Sequence, residues 1–410
     1  MKTKSLRGAF LGVLAGSTCI LLAPSGWAAL STNAQALAAA NTGFSFNLLT
    51  EIVKEQPDNN VFISPYSVAT VLQMVENGAG GQTQRELRQV LGLNQLTRAA
   101  QNEAHRELHH LIEAHTANLV LNTANALWYR QGFVLKPEFI ACNQTYYDAT
   151  VKGLNFDQAS AADQINAWVN EKTHGKINQM VSPPIDPLTR LYLANAVYFN
   201  GQWISRFKVE DTKDKVFHLR KDREKKLPMM VQSGIFSYRR VNGYQAVRLP
   251  YEGENLGMYV FLPNANSSPA KLLARMNREN WQTVELPLCP LEKGTLMLPR
   301  FIFEYGIDLK RPLGALRIKR AFAENADFSA LSHDPFYVSQ ATQKTFVEVN
   351  EKGTAAASMF YSGGPSAGRM PAPPEPFEMI VDRPFVVIIE DYASSTVLFM
   401  GIINDPAPGS

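Results

Sequence analysis

The segment from residue 351 to residue 376 constrains the fold of this 410-residue chain more than any other. It reads EKGTAAASMFYSGGPSAGRMPAPPEP, a composition that usually marks a linker between domains. Only residues 377–410 follow it, and they contain two apolar runs joined by a polar turn, which predicts two β-strands. Two strands alone are at best marginally stable in water. The segment is therefore predicted to be a long exposed loop within one domain, whose core the last strands complete.

The beginning of the chain has the pattern of a secretory leader. Three basic residues precede a mostly apolar stretch. Small residues before a first candidate cleavage site lead up to Ala28, and a second candidate cleavage site follows Ala36. The apolar stretch is short and interrupted, which argues against a transmembrane anchor. We expect residues 1–28 to be a signal peptide and residues 29–410 to form one domain. The mature protein would then be secreted and extracellular, or periplasmic, without membrane attachment.

The leader also explains the charge of the chain. The formal net charge is +3, and residues 1–28 contain three basic residues and no acidic one, so the mature chain is close to neutral. This balance gives no reason to expect a nucleic-acid partner. The one Gly-x-Ser-x-Gly match, at 364–368, lies in the Gly/Pro-rich segment and not at a strand-to-helix turn, and neither a phosphate loop nor a dinucleotide fingerprint is present. We therefore predict that the protein is not an enzyme and uses no cofactor.

Cysteine and histidine residues were considered as redox or metal sites. Outside the leader the cysteines are Cys142 and Cys289, which an exported protein could join in a disulfide. A core of this size needs no such crosslink, so we favour two free thiols. His105 and His109 share one face of a predicted helix, but no cysteine or carboxylate completes a zinc site there. We predict a solvated helix face and no metal.

The order of the predicted elements indicates the fold class. Before residue 189, apolar residues recur at helical spacing in several segments, whereas strand-like runs divided by Gly, Pro, Asn and Asp follow it. Helices first and strands later predict an α+β fold with large antiparallel or mixed sheets.

The start of the exposed loop has the composition of a strand that could join a sheet. A strand pattern ends at Val349, and after a break at Gly353 the residues from 354 to 358 are all small. Alternate side chains of that stretch would share one face of a strand. Gly353 has the backbone freedom of a hinge. From these residues alone, a hinged strand and a merely flexible loop both stay open.

Five motifs, in order along nearly the whole mature chain, are similar to those of one family. They are NVFISPYSV at 60–68, GAGGQT at 78–83, LANAVYFNGQW at 193–203, EKGT followed by alanines at 351–357, and DRPF at 382–385. On these motifs the chain is identified as a member of the serpins, the serine protease inhibitor family, from about Leu37 to Pro406. The resemblance implies an α+β serpin fold with about three β-sheets, about eight or nine helices and a reactive-centre loop at about 351–376.

The resemblance also implies a mechanism. A target protease would cut the loop and form an acyl-enzyme, and the cut loop would then insert into the main sheet and trap the protease covalently. Glu351 would pair with Arg300 and restrain early insertion. The implied loop hinge is Glu351, Gly353, Thr354, Ala355, Ala356 and Ala357, and the implied sheet opening and shutter are Ser64, Ser67, Asn195, Trp203, Arg300 and Gln343.

Gln343 departs from the family pattern, in which a histidine is frequent at this position. Glutamine can still donate and accept hydrogen bonds. It does not titrate near pH 6.5, as histidine does. We therefore expect no histidine pH switch in the shutter.

The scissile bond has two candidates. The usual spacing from Gly353 places it between Ala367 and Gly368, which suits an elastase-like protease with a small specificity pocket. The loop is longer than in well-known serpins, so the Arg369–Met370 bond, which suits a trypsin-like protease, stays open as the alternative.

The resemblance further implies a monomer whose partner is an elastase-like or trypsin-like serine protease, or a cysteine protease. Family members that bind glycosaminoglycans carry clustered basic residues on one helix. The corresponding stretch here contains only Arg98 and Arg106, so we expect no heparin activation. The alternative function is that of a non-inhibitory serpin, which would act as a binding protein or a plain protease substrate.

Overall fold

The computed structural model describes residues 30–115, 120–221, 223–281, 291–352 and 375–406. Within these ranges the chain forms nine α-helices and fourteen β-strands, which confirms the predicted α+β class. The helices are α1 (Thr32–Glu55), α2 (Pro65–Glu76), α3 (Gly81–Val90), α4 (Arg98–His115), α5 (Pro137–Tyr147), α6 (Ala159–Lys172), α7 (Pro269–Leu273), α8 (Arg278–Asn280) and α9 (Lys310–Ala315). The strands are β1 (Val61–Ile63), β2 (Val120–Arg130), β3 (Thr150–Leu154), β4 (Leu191–Asn200), β5 (Lys213–His218), β6 (Glu224–Val241), β7 (Tyr244–Pro250), β8 (Leu256–Pro263), β9 (Leu291–Pro299), β10 (Phe301–Asp308), β11 (Gln340–Val349), β12 (Phe377–Ile380), β13 (Phe385–Asp391) and β14 (Thr396–Ile403).

The main sheet has five strands in the order β10-β11-β4-β2-β3. Strand β11 is antiparallel to β10 but parallel to β4, and β4 is antiparallel to β2. Nine of the ten residues of β4 are buried, because the core around α2 covers one face of the strand and α6 covers the other. Burial on both faces explains why β4 reads as a nearly continuous apolar run.

The second hydrogen-bonded network has nine strands, in the order β1-β14-β13-β8-β7-β6-β9-β12 with β5 also paired to β6. Strand β6 is 18 residues long, so its first residues pair with β5 and its last residues with β7. The long strand thereby joins two sheet regions into one network. Together with the main sheet, these two regions account for the three sheets that the resemblance implies.

The last two strands complete the core, as the sequence predicts. All seven residues of β13 and all eight of β14 are buried. Strand β13 lies between β8 and β14, and β14 also pairs with β1, near the beginning of the chain. The strands that follow residues 353–374 therefore belong to the same hydrogen-bonded network as strands that precede them.

Helix α2 shows how local sequence positions the site. Ser64 caps its first turn, since the Ser64 hydroxyl accepts a hydrogen bond from the Ser67 amide, and Pro65 occupies the first helical position. Every residue of α2 is buried, which fits a helix that is mostly apolar around its circumference. The cap thus places Ser64 and Ser67 beneath the main sheet.

The prediction of a solvated histidine face on α4 was wrong for two of its residues. His105 and His109 are buried, because this face of α4 packs against α2 and α5. The His105 ring stacks on Tyr147 with 4.2 Å between centroids, and its Nε2 lies 3.2 Å from the Thr70 hydroxyl. Burial lowers the pKa of His105 to about 3, so the ring is neutral at ordinary pH. Among the described residues, no group of three or more potential ligands could hold a metal.

Cys142 lies on α5 as a free thiol. The Asn102 amide donates a hydrogen bond to its sulfur at 3.2 Å, and burial raises the pKa of the thiol. Cys289 lies outside the described residues, as do the candidate leader residues 1–28. None of the helices in the described ranges is both long and apolar enough to cross a membrane.

Candidate functional site at the main sheet

The central feature of the main sheet is an incomplete ladder between β4 and β11. Their parallel pairing runs from Tyr192 opposite Gln340 to Tyr198 opposite Phe346. Both strands continue beyond this last pair, and β11 stays paired with β10 as far as Val349. The ends of β4 and β11 beyond Tyr198 and Phe346 therefore have no ladder between them in the described part of the chain.

Glu351 lies at this open end, two residues after β11, and its side chain is only 4 % exposed. Its carboxylate accepts a charge-assisted hydrogen bond from the Arg300 guanidinium and another from the Thr212 hydroxyl at 2.7 Å. Burial alone would raise the pKa of Glu351. The hydrogen bonds from Arg300 and Thr212 and the positive charge of Arg300 outweigh burial and hold the pKa below its ordinary value.

Trp203 fixes the neighbouring backbone. Its indole Nε1 donates a hydrogen bond to the carbonyl of Asn350 at 3.0 Å. The indole itself stacks on Tyr251 with 4.5 Å between ring centroids, and it is buried. Two consecutive residues after β11 are thus held, Asn350 through its backbone and Glu351 through its side chain.

A second polar cluster lies around Gln343, farther from the open end of the β4–β11 ladder. The Gln343 amide nitrogen donates to the Ser64 carbonyl and to the Asn195 side-chain oxygen, both at 2.9 Å. The Gln343 amide oxygen accepts from the Ser64 backbone N–H at 3.1 Å. Gln343 therefore joins the two strands β4 and β11 to the start of α2.

The cluster extends from Gln343 into the surrounding elements. The Ser64 hydroxyl donates to the Leu398 carbonyl of β14 at 2.7 Å and lies 3.0 Å from the Ser67 hydroxyl. The Asn195 amide donates to Asn125 of β2 at 2.9 Å. A buried polar network of this kind is rigid when its members are satisfied, and breaking one member leaves the others unpaired.

The structure therefore groups the implied site residues into two clusters. The cluster at the open end of the ladder contains Glu351, Arg300 and Trp203. The cluster farther from the open end contains Ser64, Ser67, Asn195 and Gln343. The other implied residues lie outside the described residues: Gly353, Thr354, Ala355, Ala356, Ala357, Ala367, Gly368, Arg369 and Met370.

Two contact residues were missed from the sequence. Thr212 holds Glu351 from the turn before β5, and nothing in the local sequence marks that turn as close to β11. Asn125 faces Asn195 across β2 and β4. An asparagine in each of two apolar strands was a signal for this pair, because buried polar side chains need partners.

Comparison with known proteins identifies the architecture. The family model described as serpin (serine protease inhibitor) matches residues 39–406. The chain belongs to the serpin family. The resemblance that the five motifs carry is thereby confirmed.

Relatives of known sequence and structure agree with this serpin assignment. Leukocyte elastase inhibitor of Bos taurus is 34% identical over 386 residues, covering 90% of this chain and 99% of the relative. Glia-derived nexin of Rattus norvegicus is 32% identical over 388 residues, covering 91% of this chain and 94% of the relative. A crystal structure of native protease nexin-1 with heparin matches with a TM-score of 0.82 at 31% identity, over 91% of this chain and 100% of that one. Serpins are generally inhibitors of proteases and not proteases themselves.

Proposed function

We propose that this serpin inhibits a serine-type endopeptidase as a suicide substrate and is not itself an enzyme. The protease would cut the reactive-centre loop and become trapped as an acyl complex when the cut loop inserts between β4 and β11. The observation that supports this most strongly is the ladder between these strands, which stops at Tyr198 and Phe346 beside the point where the chain leaves β11.

Strand direction favours insertion at this place. A segment that follows β11 and turns back along it would be antiparallel to β11 and, because β4 is parallel to β11, antiparallel to β4 as well. One parallel ladder, which is slightly less stable per residue, would be replaced by two antiparallel ladders. At roughly 1 kcal/mol net per hydrogen bond, about ten new bonds would stabilise the inserted form by on the order of 10 kcal/mol.

The uncut form must then be held by a barrier, because the inserted form is more stable. We assign this barrier to the two polar clusters. Glu351, Arg300 and Thr212 hold the chain at the end of β11, and Gln343 joins β11 to β4 through Asn195. Both clusters have to rearrange before a strand can pass between β4 and β11.

The target is proposed from the loop sequence. We place the scissile bond at Ala367–Gly368, for an elastase-like protease, with Arg369–Met370 as the trypsin-like alternative. The similarity to a protein named leukocyte elastase inhibitor favours the first of these. A cysteine protease stays open as a further target class.

We also propose that the protein is exported and that the leader is removed after Ala28. Ser31 caps α1, since its hydroxyl accepts a hydrogen bond from the Ala34 amide at 3.2 Å, and Ala34 is fully buried. Cleavage after Ala36 would remove both residues and the first turn of the helix. Cleavage after Ala28 leaves α1 whole, so the monomeric serpin domain would begin at residue 29.

We expect no activation by heparin. The arginines of α4 already have anionic partners: Arg98 Nε lies 3.3 Å from the buried carboxylate of Glu76, and Arg106 is paired with Glu103. A polyanion would have to compete with these carboxylates. Inhibition rates measured with and without heparin at low salt test this expectation, and an acceleration would contradict it.

The deciding experiment mixes the mature protein with pancreatic elastase and, separately, with trypsin. A band near the summed masses that survives denaturation indicates a covalent trap. The mass of the released C-terminal peptide identifies the cut after Ala367 or Arg369. Clean cleavage without such a band, also with a subtilisin-like enzyme, would overturn inhibition in favour of the non-inhibitory alternative.

A further inference from the structure

The turn directly after α6 lies over the place where β4 and β11 stop pairing. We call residues His174–Lys176 the strap. The His174 ring packs edge-on against Tyr198, the last residue of β4 that pairs with β11, with 5.7 Å between centroids. Lys176 lies over Phe346, the last residue of β11 that pairs with β4, with its Nζ 5.1 Å from the ring centroid. One short turn therefore contacts both strands at their last pair.

An ion pair adds to the contact with β11. Lys176 Nζ lies 3.7 Å from a carboxylate oxygen of Glu348, two residues beyond Phe346 on the same face of the strand. The two side chains are 39 % and 37 % exposed, so the pair is partly screened by solvent. The rings of Tyr198 and Phe346 are themselves 6.0 Å apart, so the strap covers an aromatic pair that bridges the two strands.

Hydrogen bonds join the strap to the end of α6. The Gly175 amide donates to the Asn170 carbonyl at 2.8 Å, and its φ of +77° is one that glycine adopts without strain. The Thr173 hydroxyl donates to the Val169 carbonyl at 2.8 Å and accepts from the Ile177 amide at 3.0 Å. The strap therefore connects the end of α6 to both β4 and β11.

We propose that His174 and Lys176 form a latch that keeps β4 and β11 together at the open end of their ladder. A strand that enters from this end must first separate Tyr198 from Phe346. The strap cannot follow both strands at once, so one of its two contacts has to break. The strap would therefore slow the separation of β4 from β11. It would also slow insertion of the cut loop, and this second effect rests on the proposed function.

The first test removes the charge of the latch. Lys176→Met keeps an unbranched stem over Phe346 but loses the ammonium group. Hydrogen exchange is followed by mass spectrometry in the uncut protein, on peptides that cover β4 and β11. We expect hydrogen exchange at the ends of these strands nearest the strap to be about twofold to fivefold faster in the variant, which is the range for a partly exposed ion pair. Because salt screens such a pair, the difference should shrink at 1 M salt.

The chain offers a matched control on the same strand face. Lys344 of β11 pairs with Glu304 of β10 at 2.7 Å, across two strands that stay together in the proposed mechanism. Lys344→Met should leave exchange between β4 and β11 unchanged. Lys176→Glu should speed exchange further, and adding Glu348→Lys to it should restore most of the protection. Equal exchange in wild type and Lys176→Met, or the same increase in Lys344→Met, would overturn the latch.

A second measurement separates the latch from the inhibitory function. The loop is cut by a subtilisin-like enzyme, and insertion is followed as the rate at which the cut protein gains heat stability. Faster insertion in Lys176→Met supports both proposals. A wild-type protein that gains no heat stability contradicts inhibition by insertion, while faster exchange in the variant still supports the latch. If Lys176→Met exchanges as slowly as wild type while the cut wild-type protein gains heat stability, the latch alone is overturned.

Discussion

At the scale of single residues, Glu351 is the buried carboxylate at the point where the chain leaves β11. Its carboxylate is buried against Arg300 and Thr212, and these partners lower its pKa. A carboxyl whose pKa is lower in the folded state stabilises that state above the unfolded pKa, which is about 4.3 for glutamate. This contribution is lost as the pH falls through the folded pKa.

Glu351→Gln should therefore reduce the acid sensitivity of the uncut protein. The amide keeps a hydrogen bond from Thr212 but does not titrate. We expect wild type to be the more stable protein at pH 7 and the difference between the two to shrink progressively below about pH 4.5. Urea unfolding at pH 7, 5 and 3.5 measures the difference in unfolding free energy between the two proteins. A difference that stays constant across these pH values would contradict a stabilising role for the Glu351 charge.

Arg300→Ala tests the same contact from the other side. The variant leaves the Glu351 carboxylate buried without its guanidinium partner. We expect a loss of about 1–3 kcal/mol in the free energy of unfolding. The double variant Arg300→Ala/Glu351→Gln should recover part of this loss, because it removes the unpaired charge. No recovery would indicate that Arg300 acts through packing alone.

Gln343 offers a prediction on pH dependence. Its side chain is buried and makes three hydrogen bonds to Ser64 and Asn195. In Gln343→His, burial would lower the imidazole pKa below its ordinary 6.5, so protonation would destabilise the folded state as the pH falls through that range. The stability of the variant relative to wild type should decrease between pH 7.5 and 5.5. A pH-independent difference would show that the site tolerates a charged imidazole.

At the scale of elements, α1 gives a prediction on processing. The mature protein should begin at Ala29, because the helix needs its Ser31 cap and the buried Ala34. N-terminal sequencing of the exported protein tests this directly. A protein made to begin at residue 37 should be less stable than one that begins at residue 29, by at least about 1 kcal/mol for the lost cap. Equal stability would favour the cleavage site after Ala36.

The elements also show what the sequence could and could not predict. Apolar runs with turn residues between them predicted β4, β13 and β14, and helical spacing predicted α6. The burial of His105 and His109 was not predictable from α4 alone, since it depends on where α2 and α5 pack. The contact of Thr212 with Glu351 joins residues 139 positions apart, and the end of the β4–β11 ladder depends on register. Both follow from the assembled sheet and have no local signature.

At the scale of the whole molecule, the proposed mechanism requires the loop to become a buried strand. If alternate side chains share a face, Thr354 enters first and its side chain has to leave water. Thr354→Arg would place a charge on that face, where burial without a partner costs several kcal/mol. The variant should be cut by the target protease as fast as wild type but should form no complex that survives denaturation.

Thr354→Val is the matched control, because it keeps the size and branching of the side chain without a charge. It should retain complex formation, and its cut form should gain heat stability as the wild type does. The cut form of Thr354→Arg should gain much less. Normal complex formation by Thr354→Arg would exclude insertion that begins at this residue, since the inserted sheet has no room for an unpaired guanidinium. The proposed insertion between β4 and β11 would then be wrong, and inhibition would require a rearrangement other than strand addition at this place.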